Sequence, residues 1–257
     1  MSAKINELDL FDANCMLGRV AVSRTEFPRT VDELLEVMDY FDIAEALVYH
    51  SLSKDYGPAF GNARLLEEIS GTDRLHAMWV VAPSHTGELP DEDELVAQML
   101  ARNVKAARVF PGTDQHNFSL KPWSCGTLLG ALQSRRVPLF IDFDQTDCHT
   151  LFELCGTHDK LPIVLTGVGY RSNRLLYPLL KRFDNLHVEL SSYYGHRGIE
   201  MLVERFGAGR LLFGTGLPFF SPGSAIGMLN YGRVTESDKR LIAGENLRAL
   251  LGSVANR

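Results

Sequence analysis

The sequence predicts an α/β protein: a single (β/α)8, or TIM, barrel closed by an extra C-terminal helix. Three observations carry this. Eight short apolar runs alternate with amphipathic stretches along 257 residues. Most of the runs are hydrophobic without a break, as in Ile163-Val164-Leu165 and Leu211-Leu212-Phe213, which is what strands covered on both faces require. Finally, eight strand–helix units match the roughly 250 residues that such a barrel uses.

The runs fall at Leu8–Cys15, Glu45–Ser51, Leu75–Pro83, Ala106–Pro111, Pro138–Phe143, Pro162–Val168, Leu186–Ser192 and Arg210–Thr215. Between them apolar residues recur at helical spacing. Val31, Leu34, Leu35 and Met38 stand at i, i+3, i+4 and i+7, behind Thr30 as N-cap and Glu33 three residues on. Asp91–Arg102, Cys125–Arg135, Thr146–Cys155 and Arg174–Phe183 fill further gaps. Ile199, Leu202, Val203 and Phe206 repeat the spacing, and Gly207 is a natural helix stop. The tail, Thr235–Gly252, predicts the closing helix. Strands alternating with helices imply βαβ units and a parallel sheet. No low-complexity linker interrupts the series, so residues 1–257 read as one domain.

Composition excludes several classes of function. A net charge of −6 argues against nucleic acid, whose binders concentrate Lys and Arg. No stretch approaches the roughly 20 apolar residues a membrane span needs. The polar start, Met1 to Glu7, has no apolar signal region, and Cys15, Cys125, Cys148 and Cys155 lack zinc or disulfide spacing. Both fit a reducing, cytoplasmic setting. Helix-faced barrels often pair, so a homo-oligomer is compatible with the sequence.

Five segments in order carry a family resemblance. Phe11-Asp12-Ala13-Asn14-Cys15-Met16-Leu17-Gly18 is similar to an opening strand written Asp-x-His-x-His-x-Gly. Arg108-Val109-Phe110-Pro111 resembles a fourth strand, and Leu165-Thr166-Gly167-Val168-Gly169 a sixth. Phe213-Gly214-Thr215-Gly216-Leu217-Pro218 resembles Phe-Gly-(Ser/Thr)-Asp-x-Pro, and Ile242 to Leu247 the terminal helix. The chain thus resembles the amidohydrolase superfamily, in its amidohydrolase-2 branch of TIM-barrel hydrolases and decarboxylases. That family holds a metal with two histidines on the first strand, one on each of the fifth and sixth, and an aspartate after the eighth. Position by position these become Asn14, Met16, Asp142, Gly167 and Gly216, of which only Asp142 is an ordinary hard ligand. No metal and no cofactor are therefore expected. A substitute set from Cys15, Asp142, Asp144 and His50 has no spacing in its favour.

The fold puts function at the C-terminal strand ends. Asp142 and Asp144 alternate on one strand and can share the mouth face, so they could form an acid/base pair, with His50 as a further base. The competing reading makes Asp142 a structural ion pair with Arg108 or His50, and that reading is preferred. Arg108 could clamp an anion, with Asn14, Ser192, Tyr193 and Thr215 as further substrate contacts. Cys15 should face away from the barrel axis as a packing residue. The expected function is binding of a small polar or anionic molecule at the mouth, with metal-independent hydrolase or lyase chemistry. The alternatives are an inactive pseudoenzyme serving as a binding or assembly module, and a metal hydrolase with an unusual ligand set.

Overall fold

In a computed structural model, which describes residues 8–20 and 27–255, the eight apolar runs all become strands of one parallel barrel. The strands are β1 (Leu10–Leu17), β2 (Ile43–His50), β3 (Leu75–Ala77), β4 (Trp79–Val80), β5 (Ala107–Val109), β6 (Leu139–Asp142), β7 (Ile163–Thr166), β8 (Leu186–Glu189) and β9 (Leu211–Leu212). β3 and β4 are consecutive segments of a single barrel strand. Met78 joins them by donating to Val48 while Trp79 donates to Ala106, so the ladder passes from β2 on one side to β5 on the other.

The helices follow the predicted spacing. They are α1 (Val31–Tyr40), α2 (Ser51–Asp55), α3 (Pro58–Ile69), α4 (Glu92–Ala101), α5 (Pro122–Arg135), α6 (Cys148–Thr157), α7 (Asn173–Arg182), α8 (Gly198–Phe206), α9 (Pro222–Tyr231), α10 (Glu236–Arg240) and α11 (Asn246–Gly252). Thr30 and Glu33 form the expected reciprocal capping box at α1, and Gly207 ends α8 at φ 75°. No helix among the described residues is long and apolar enough to cross a membrane. The polar start read from residues 1–7 lies outside the described residues.

Strand alternation divides the apolar residues into two layers. Ala107, Val109, Leu139, Ile141, Ile163 and Leu165 face the helices, while Ala106, Phe110, Phe140, Val164 and Leu212 fill the barrel. Arg108 and Asp142 fall in the inward register with Ala106, Phe110 and Phe140. The tail plugs the end where the strands begin: Leu247, Leu250 and Leu251 pack on the inner layer, and Arg248 pairs with Glu45 and Asp9. One turn of it, Leu241–Glu245, widens to a π-helix between α10 and α11.

The seam between the first and last strands is closed by few ladder bonds and one carboxylate. Ala13 donates to the Phe213 carbonyl at 3.0 Å and Met16 to that of Leu217 at 2.9 Å. Asp12, fully buried, accepts from the backbone N–H groups of Asn14 (2.9 Å) and Thr215 (3.0 Å), and from the Cys15 thiol and Thr215 hydroxyl. Cys15 accordingly faces the outer layer.

Asn246 fastens the terminal helix to the last strand, donating from Nδ2 to the carbonyls of Ala208 and Leu211, both at 2.8 Å. Asn246→Ala leaves these two carbonyls without their partner. It is expected to cost on the order of 1–3 kcal/mol in the urea unfolding free energy, with the folded far-UV spectrum unchanged.

Candidate active site at the barrel mouth

Five strands send a polar side chain to one connected network above the inner apolar layer. Arg108 is its centre. Its Nη1 donates to Asn14 Oδ1 at 2.9 Å, and its Nη2 donates to Asp142 Oδ1 and, at 3.2 Å, to Thr166 Oγ1. The Thr166 hydroxyl donates in turn to Asp142. Asn14 Nδ2 donates to Glu189 Oε2 at 2.9 Å, and the Ser191 hydroxyl and backbone N–H also bond that carboxyl group. The guanidinium lies against two rings, 4.6 Å from the Tyr49 centroid and 5.1 Å from that of Phe110. Its Nε is buried without a partner.

A buried cation is tolerable only when compensated. Burial is the largest single influence and would weaken proton binding by Arg108, but Asp142 together with Tyr49 and Glu189 raises the affinity above the ordinary value. The two partners differ in access. The Arg108 side chain is 3% exposed and that of Asp142 24%, so the carboxylate is the member of the pair that reaches solvent. Glu189 is fully buried, and its burial pushes the carboxyl up to about 7 against the hydrogen bonds from Ser191 and Asn14. Asp12, on the outer side of the seam, is also raised by burial despite its four donors.

Lys54 completes the picture. It stands one helical turn beyond the end of β2, and its Nζ lies 5.2 Å from the Phe110 ring centroid, so Phe110 is flanked by two cations. Among the described residues Lys54 has no ion-pair partner. It is thus a cation near the mouth without a counter-charge. Exposed aromatic rings, Phe219, Phe220 and Tyr194, stand on the loops after β8 and β9, with Tyr194 and Phe220 edge-to-face at 6.4 Å.

The sequence-derived candidates separate into three groups. Asn14, Arg108 and Asp142 meet, and Arg108 is the partner of Asp142. Asp144 does not join them: β6 ends at Asp142, the chain turns into a 3-10 turn at Phe143–Gln145, and Asp144 is exposed. Strand alternation therefore does not extend to it. His50 also stands apart, because Tyr49 takes the inward position. Its Nδ1 caps α2 by accepting from Leu52 N–H at 3.0 Å, and its Nε2 faces Glu68 at 3.4 Å. Burial lowers its proton affinity, opposed by Glu68. Thr215 is spent on Asp12, and Tyr193 is buried with its hydroxyl donating to Asn173 at 2.6 Å. Ser192 is half-buried at the turn after β8.

A metal site does not fit these residues. At the five corresponding positions, Met16 packs in the inner apolar layer, and Gly167 and Gly216 offer no side chain. The Asp142 carboxylate already holds Arg108. Gly216 has φ +70°, and a Cβ there would meet the Phe220 ring at 2.7 Å, so an aspartate would need that ring to move. Among the described residues no group of three or more His, Cys, Asp and Glu side chains could hold a metal ion.

A family model described as amidohydrolase matches residues 16–253. No curated protein matches the sequence significantly. Solved structures share the fold at low identity. A dihydroxybenzoic acid decarboxylase from Polaromonas sp. JS666, with bound manganese and 2-nitroresorcinol, is 16% identical with a TM-score of 0.73, covering 95% of this chain and 97% of that one. A manganese-bound 5-carboxyvanillate decarboxylase from Novosphingobium aromaticivorans is 12% identical with a TM-score of 0.75, covering 98% and 99%. The 2,6-dihydroxybenzoate decarboxylase from Rhizobium is 16% identical with a TM-score of 0.71, covering 95% and 99%.

Glu189 gives the site a pH signature. Its folded value of about 7 exceeds the ordinary 4.5, so between these limits the folded state binds more protons than the unfolded state. That contribution to stability is present below 4.5 and is lost as pH rises through 7. Glu189→Gln removes the titration. Urea unfolding should therefore show the variant gaining on the native protein between pH 5 and pH 8, by an amount on the order of 1–3 kcal/mol. A difference that stays constant with pH would rule out a raised Glu189.

Proposed function

We propose, on the premise that this chain belongs to the amidohydrolase family, that it binds a small anionic ring compound at the barrel mouth without a metal ion. The observation that carries this is the Arg108 guanidinium, fixed by Asn14, Asp142 and Thr166 at the centre of the mouth network. A side-chain cation there stands in place of the donor set a divalent ion would need. The related structures are decarboxylases of hydroxylated benzoates, which supports an aromatic acid as the class of ligand.

Each polar group then has a role set by its remaining valence. Arg108 is neutralised by Asp142, so the free charge for a ligand carboxylate comes from Lys54. Asp142 uses Oδ1 for Arg108 and Thr166, leaving Oδ2 to accept from a ring hydroxyl. Phe220 and Tyr194 supply an aromatic wall, and the whole is contained in residues that read as one domain. Turnover, hydrolytic or lyase in type, would use Asp142 as the proton-handling group, since it alone of the network carboxyls reaches solvent. The burial of Arg108 and Glu189 favours a second reading, a binding module without turnover.

Calorimetric titration with 2,6-dihydroxybenzoate tests the proposal. Binding should persist unchanged in EDTA, should weaken roughly tenfold or more for the corresponding neutral amide, and should weaken similarly in Lys54→Met. Stoichiometric zinc or manganese in protein purified without chelator would overturn it, as would acid binding indifferent to Lys54. Asp142→Asn then separates the two readings: loss of product formation with binding retained supports turnover, while no product from either protein supports the binding module.

A further inference from the structure

A cavity of about 620 Å³ lies among the loops at the C-terminal strand ends, to one side of the Arg108 network, where His116 meets the Phe110 ring edge-on at 6.0 Å. Its walls come from α2 and the start of α3, the loop after β4, the loop after β5 and the first turn of α5. None of Asn14, Lys54, Arg108, Asp142 or Glu189 lines it. The volume is within the range of small-molecule sites, roughly 300–1,000 Å³. Two large rings stand on it well exposed, Trp123 at 80% and Tyr56 at 77%. Pro58, Pro83 and Pro111 give it flat, stiff walls.

The hydrogen-bonding character of the lining has a consistent sign. His85 Nε2 lies 2.8 Å from the Ser124 carbonyl, and His116 Nε2 lies 2.9 Å from that of Lys54. A carbonyl can only accept, so each Nε2 carries the hydrogen, and each neutral ring keeps a lone pair on Nδ1. His116 Nδ1 is buried with no partner among the described residues. Glu88 is the one formally charged residue in the lining, and among the described residues it has no ion-pair partner. The cavity therefore offers acceptors and a negative charge, between exposed aromatic faces.

We propose that this cavity is a second ligand site, selective for a planar ring that bears a cationic or donor-rich nitrogen group, an arylamidine or protonated aminoheterocycle. The ring stacks on Trp123, where a cationic ring is favoured by the aromatic quadrupole. The nitrogen group donates to Glu88 and to Nδ1 of the exposed His85. An aromatic acid is excluded by Glu88, so this site and the mouth select opposite charges. The two proposals are independent, and either can fail alone.

The chain has two tryptophans, and the other, Trp79, is buried in the core, so Trp123 reports on this site by its emission. Titration with benzamidine should change that emission saturably and give a matching calorimetric isotherm. Benzamide should bind about threefold or more weakly, as should benzamidine to Glu88→Gln, and benzoate should leave the Trp123 signal unchanged. Asp142→Asn should leave the benzamidine midpoint where it was. Trp123→Ala, at an exposed position, should retain the fold by circular dichroism and lose the isotherm. The proposal is overturned by the absence of a saturable benzamidine response, by equal responses to benzoate and benzamidine, or by a benzamidine midpoint that moves with Asp142 and not with Glu88.

Discussion

A guanidinium inside a barrel must be compensated on every side, and the mouth of this protein is organised by that requirement. Arg108 enters from β5 in an inward register position, above Ala106 and beside the rings of Tyr49 and Phe110. An uncompensated charge at this depth would not be tolerated. Asp142 supplies the opposite charge, Thr166 and Asn14 take up further N–H groups, and the aromatic faces meet the rest. Asn14 carries the arrangement further, because its amide accepts from Arg108 with one end and must then donate with the other. That donation goes to Glu189. One buried cation thereby fixes the side-chain directions of four other strands.

Much of the barrel was legible in the sequence, and the reasons are physical. Short apolar runs alternating with amphipathic stretches suit strands covered on both faces, and all eight predicted strands occur. Parity along a strand put Asp142 on the mouth face, and of the two ion-pair partners open to it, Arg108 and His50, the structure has Arg108. Parity failed where the strand stopped. Asp144 lies beyond the end of β6, in a turn whose geometry a count of two does not describe. His50 looked like a mouth residue because it ends β2, yet Tyr49 holds the inward place and His50 becomes a helix cap. Thr215 and Tyr193 were read as ligand contacts, but each hydroxyl is committed to a buried partner that is distant in sequence, Asp12 and Asn173. Lys54 was invisible for a related reason, since its direction depends on where α2 begins.

The mouth that results is closed to most of its own polar groups. Arg108 and Glu189 are buried beneath the surface they organise, while Asp142, Lys54 and the aromatic rings of the covering loops are its more exposed groups. In the manganese-bound relatives the fold is the same at 12–16% identity. The barrel frame thus persists through that divergence in sequence, as expected of a scaffold held by its apolar layers.

The Asp12 carboxylate has a consequence for how the chain reaches this structure. Its bonds to Thr215 join residues 203 positions apart, so they close a loop that takes in most of the chain. Loop-closure entropy places such contacts late, after neighbouring strand–helix units have assembled from nearer residues. An interaction absent from the transition state governs escape from the native state more than arrival at it. The seam carboxylate therefore acts as a kinetic latch: weakening it should leave the folding rate nearly unaltered and shorten the lifetime of the folded barrel.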